Sequence, residues 1–98
     1  MTTTTPARPP VQTVEIPARG LIEGHFIEYV HTARVLGPRG GRYINKGGRV
    51  QSTVKSVTQF IPGSGYEMAV WGLQAVMVET LAGHRIPLIE SQTVTIRA

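Results

Sequence analysis

Arg49-Val50-Gln51-Ser52-Thr53-Val54-Lys55-Ser56-Val57-Thr58-Gln59-Phe60-Ile61 is the stretch on which the fold turns. Val50, Val54, Val57 and then Phe60 or Ile61 recur at steps of four, three and three or four, the spacing of one helical face. Gln51, Ser52, Lys55 and Gln59 take the opposite side. A strand is the rival, because Val, Thr and Phe all favour sheets. Pro62-Gly63 ends the element on either reading.

Immediately upstream, Gly37-Pro38-Arg39-Gly40-Gly41-Arg42-Tyr43-Ile44-Asn45-Lys46-Gly47-Gly48-Arg49 sets four cations and five glycines around a short apolar pair. No Asp or Glu occurs between Glu28 and Glu67, and Arg34, Arg39, Arg42, Lys46, Arg49 and Lys55 all fall in that window. Glycine lets backbone N–H groups approach a ligand, and Arg and Lys supply countercharge. The segment therefore suits a polyanion; a solvated, flexible basic connection is the alternative.

Outward from there, Met1–Pro10 is rich in Thr and Pro and reads as a disordered tail. Val11–Ile16 is β-branched and reads as a strand, broken by Pro17-Ala18-Arg19-Gly20. Leu21–Leu36 is helical by period, through Ile22, Phe26, Tyr29 or Val30, and Ala33, and Gly37-Pro38 stops it. Arg42–Ile44 is a short candidate strand between glycine turns. Tyr66–Leu81 carries mixed signals. Ser64-x-x-Glu67 has the form of a capping box and Gly83 of a C-cap, whereas Gly72 and the β-branched Val70, Val76, Val78 and Thr80 argue for a strand. Arg85–Ile89 and Gln92–Arg97 are β-rich.

The totals describe one domain, residues 11–98 behind the tail, with a thin but real core. A net charge of +4 and an isoelectric point near 10.1 favour nucleic acid or an anionic surface. The absence of cysteine removes disulfides, thiol nucleophiles and cysteine metal sites. No signal-peptide core and no membrane-length apolar run occurs. The expectation is a soluble intracellular protein, cytoplasmic and/or nuclear, with no membrane partner.

Strand, helix, strand, helix and two long strands is an order that resembles the Alba family of DNA- and RNA-binding domains. Asn45-Lys46-Gly47-Gly48-Arg49-Val50 resembles that family's basic turn into its second helix. Phe26-Ile27-Glu28-Tyr29-Val30-His31-Thr32-Ala33 is similar to its first helix. His84-Arg85-Ile86-Pro87 through Thr93-Val94-Thr95-Ile96 is similar to the returning arm of its long hairpin and its last strand. The resemblance covers about Val11 to Ala98. It implies an α+β fold, a β-α-β-α-β-β sandwich whose four-stranded mixed sheet packs on two helices. On that basis Arg49–Ile61 is a helix and Tyr66–Leu81 a strand. The match is incomplete: only Arg19 stands where family members carry a Lys-Lys or Lys-Pro step, and Gly48 replaces a second basic residue.

The expected function is nucleic-acid binding, RNA and/or DNA, through the phosphate backbone with low sequence specificity. Lys46 and Arg49 would flank a helix N-terminus, where orphan N–H groups and the helix dipole favour phosphate. Arg19 lies in the break before the first helix, Arg39 and Arg42 bracket glycines, and Arg85 sits on a projecting hairpin; these complete the candidate set. Phe60, Ile61, Trp71 and Leu73 offer apolar surface for a dimer, with itself or with a paralogue. His25, His31 and His84 lack metal-ligand spacing, and no catalytic grouping occurs, so no enzyme and no cofactor is expected. Two other readings remain. One is a structural subunit of a ribonucleoprotein, like those of ribonuclease P and MRP. The other is a small barrel-like, all-β protein-interaction domain in which Arg49–Ile61 and Tyr66–Leu81 are both strands.

Overall fold

A computed structural model describes residues 12–59 and 67–98. The expected tail, and the candidate dimer residues Phe60 and Ile61, lie outside the described residues. The α+β expectation is overturned. The described chain is almost entirely antiparallel strand: β1 (Thr13–Pro17), β2 (Phe26–Val30), β3 (Ala33–Leu36), β4 (Arg42–Asn45), β5 (Gly48–Gln59), β6 (Ala75–Thr80), β7 (Arg85–Ile89) and β8 (Thr93–Arg97). A single 3-10 turn (Ala18–Gly20) and one helical turn, α1 (Glu67–Val70), interrupt them. The main sheet runs β1-β8-β2-β5-β6-β7, and β3 and β4 form a separate hairpin.

Among the described residues neither expected helix exists, and a bulge breaks the alternation in each stretch. In β5 the register passes from Tyr29↔Arg49 to Ile27↔Ser52, so Val50 and Gln51 together oppose Glu28. Further on, Val54↔Thr80 is followed by Ser56↔Glu79, which leaves Lys55 as an extra residue. Within β5 only the second bulge, at Lys55, shifts the alternation of faces. The inward positions of β5 are therefore Val50, Ser52, Val54 and Val57. Because Ser52 is polar, the apolar members alone imitate the four-three step of a helix. In β2 the same effect arises at Glu28, where pairing to β8 shifts between Ile27 and Tyr29. Ile27 and Val30 both face inward although three residues apart.

Bulges also bend strands. Residues 48–53 of β5 pair with β2 while residues 54–59 pair with β6, so β5 passes from one half-sheet to the other. The connection from β7 to β8 requires this bend. Ile89 to Thr93 spans at most about 14 Å of extended chain. The two strands stand four places apart in the sheet, about 19 Å if it were flat. The halves must therefore curl face to face. Backbone bonds seal the seam: Ala18 N–H donates to Gln92 O and Arg19 N–H to Glu90 O, both at 2.8 Å.

The core fills the space between the halves. Ala18, Leu21, Ile27, Val30, Val94 and Ile96 come from one side, and Val54, Val76, Val78 and Leu88 from the other. A smaller cluster of Met68, Ala75 and Ile89 carries the β3–β4 hairpin through Ala33, Val35, Tyr43 and Leu73. Gln92 binds the two units together. Its side chain is 2% exposed. Its Nε2 donates to the His31 carbonyl at 2.7 Å, and its Oε1 accepts from Asn45 Nδ2 at 2.6 Å and from Ile89 N–H at 3.2 Å.

The mixed signals of Tyr66–Leu81 resolve into both elements. Leu73 N–H donates to Met68 O at 2.9 Å, and Gly72 has φ 73°; together they close α1 as a Schellman cap before β6 begins. The implied continuous strand is thus corrected. Gly83 caps no helix: with φ 87° it turns the β6–β7 hairpin, and its N–H donates to Thr80 O. Tyr66 and Ser64 lie outside the described residues.

Candidate functional site

The glycine-rich segment takes its shape from packing. Gly37-Pro38-Arg39-Gly40-Gly41 is the tip of the β3–β4 hairpin, closed by a bond from Gly37 N–H to Gly41 O at 2.7 Å, with Gly40 at φ 80°. Trp71 lies across this tip, and a Cβ on Gly41 would overlap its indole ring. The Tyr43 and Trp71 rings meet edge-on, 6.3 Å apart. Gly47 runs against the end of β2, where a Cβ would collide with the Val30 carbonyl; its N–H donates to Thr32 Oγ1 at 3.1 Å. Gly37, Gly41 and Gly47 are thus needed by the fold itself. The expected helix entrance at Lys46 and Arg49 is absent, and with it the dipole contribution.

Three of the six candidate cations meet. Lys46 in the β4–β5 connection, Arg49 at the start of β5 and Arg85 at the start of β7 line one open cleft of about 310 Å³. Val30, Val50 and Ile86 contribute apolar lining, and His84 joins the three cations. No carboxylate among the described residues lines it. The carboxylate pairs among the described residues are Arg97–Glu28 and His31–Glu15, so Lys46, Arg49 and Arg85 have no ion-pair partner there. Arg85 lies far from the other two in sequence. The fold joins them because β5 bends and brings its first residues beside the β6–β7 turn.

The other three candidates stand apart. Arg19 is exposed on the 3-10 turn after β1. Arg39 is at the hairpin tip, and Arg42 is on the outer face of the hairpin. There Arg34 opposes Ile44 and Leu36 opposes Arg42. This gives a chequered face of cations and aliphatics, with Leu36 70% and Ile44 55% exposed. Trp71 and Leu73, proposed for a dimer patch, are half-buried beneath the same hairpin.

Sequence reasoning missed His84 as a cleft residue and Arg34 as part of the hairpin face. Period-two alternation in Ala33–Leu36 was the signal for Arg34; nothing in sequence places His84 beside Lys46. No set of three or more His, Asp or Glu suited to a metal ion occurs among the described residues. No helix among them is long and apolar enough to cross a membrane. The chain matches no protein-family model, and no curated protein or solved structure is significantly similar to it.

Proposed function

We propose that this domain binds nucleic acid, RNA and/or DNA, through its phosphate backbone at the Lys46–Arg49–Arg85 cleft. The convergence of three cations and an imidazole on a concavity where, among the described residues, neither an ion-pair partner nor a carboxylate occurs carries this reading. Such a cleft attracts successive phosphates and does not by itself read sequence. It also fits the chain's net charge of +4. No catalytic role is assigned to it.

Filter binding of duplex DNA and single-stranded RNA at two salt concentrations tests the reading. Replacing Lys46 and Arg49 with Ala should weaken binding to every sequence and reduce the salt slope by about 1.4 on single strands, roughly 0.7 per lost phosphate contact. Wild-type affinity in the double variant would reject these ligands.

A second reading, a protein-interaction surface, is favoured by the exposed Leu36 and Ile44 of the β3–β4 hairpin. Its test is separate: Leu36→Ser/Ile44→Ser should abolish association with a protein partner while leaving polynucleotide affinity unchanged.

A further inference from the structure

We propose that Tyr29 is a base-stacking platform beside the cleft, and that the polymer this site selects is single-stranded. The inference rests on the phosphate-binding reading above. Tyr29 in β2 stands directly opposite Arg49 in β5. Opposed residues leave a sheet on the same face with Cβ atoms about 4.5–5.5 Å apart. Arg49 lines the cleft; Tyr29 is not itself part of the lining but stands one strand away from Arg49, on the same face.

The other described aromatics are engaged. The Arg97 guanidinium covers Phe26 at 3.9 Å from the ring centroid. Tyr43 meets Trp71, which in turn covers the hairpin tip. Tyr29 is 41% exposed. Its ring meets His31 edge-on, with centroids 5.1 Å apart and planes at 81°. His31 is itself held by a 2.8 Å hydrogen bond between Nε2 and Thr95 Oγ1. The neighbour fixes the ring and leaves it open to solvent.

Charge gives the platform a direction. On the side away from Arg49, Tyr29 faces Thr95 and Thr95 faces Glu15, whose carboxylate pairs with the His31 ring at 3.7 Å. Glu28, the nearer acid, is paired with Arg97. The path free of unpaired carboxylates runs from Tyr29 to Arg49 and into the cleft. A base stacked on Tyr29 can place its phosphate at Arg49 only if that base is not already stacked within a duplex.

Fluorescence anisotropy with a short labelled oligouridylate and a duplex of matched length tests this. Tyr29→Ala should weaken single-strand binding by at least about fivefold, the effect of losing one base–aromatic stack. Duplex affinity and both salt slopes should not change, and Tyr29→Phe should bind like the wild type. If Tyr29→Ala binds the oligouridylate normally, or loses duplex affinity equally, the platform is overturned. The Lys46→Ala/Arg49→Ala variant separates the two claims. Should that variant weaken binding while Tyr29→Ala does not, only the platform falls. Should the wild type bind neither polymer, the cleft reading itself falls.

Discussion

Gln51 has a φ of 50° within β5, in the left-handed region that side chains other than glycine rarely adopt. The bulge opposite Glu28 imposes it, and the cost is of order 1 kcal/mol. Gln51→Gly should therefore raise the unfolding free energy by several tenths of a kcal/mol, measured by urea denaturation, even though glycine weakens ordinary strands. Gln51→Val should destabilise, since a β-branched side chain fits this conformation least well. Gly41 presents the opposite constraint, lack of room. Gly41→Ala must displace the Trp71 ring, so Trp71 fluorescence should shift to longer wavelength as the indole meets water. An unchanged emission spectrum would show that the indole does not sit on the hairpin tip.

At the scale of elements, a buried amide decides how the hairpin is held. Gln92→Leu removes this side chain's bonds from the Ile89 N–H and the His31 carbonyl together, and takes one of two acceptors from Asn45 Nδ2, which keeps the Pro87 carbonyl. Buried polar groups left without partners cost about 1–3 kcal/mol each. The variant should lose at least about 2 kcal/mol, and its Tm should fall by roughly 10 °C or more in a domain of this size. Several elements were legible in the sequence: β1, β4, β7 and β8 lie within a residue or two of the strands read at Val11–Ile16, Arg42–Ile44, Arg85–Ile89 and Gln92–Arg97. β5 was not, because a polar Ser52 at an inward position and an extra residue at Lys55 turned a period of two into an apparent four-three step. The α+β fold implied by the likeness to the Alba family took β2 and β5 as its two helices, and that fold fails with them. Bulges are set by long-range pairing, so local spacing could not reveal them. The candidate site was half legible: sequence nominated Lys46, Arg49 and Arg85, and only the bend of β5 shows that they share a cleft while Arg19, Arg39 and Arg42 do not.

For the whole molecule, the proposed interface depends on the placement of charge and not on its total. A chain of net charge +4 attracts polyanions to some degree wherever its cations stand. Two triple variants remove the same charge from different places. Lys46→Ala/Arg49→Ala/Arg85→Ala empties the cleft; Arg19→Ala/Arg39→Ala/Arg42→Ala leaves it intact. All six side chains lie on exposed residues, so both proteins should fold, with matching β-type circular dichroism. The decisive measurement is the affinity of each for single-stranded RNA as salt rises from about 50 mM to about 200 mM. The cleft variant should lose binding and most of the salt slope, while the scattered variant should stay within about threefold of the wild type, a difference of roughly 0.6 kcal/mol. Equal losses in the two would contradict the proposed interface, because net charge alone would then explain the binding.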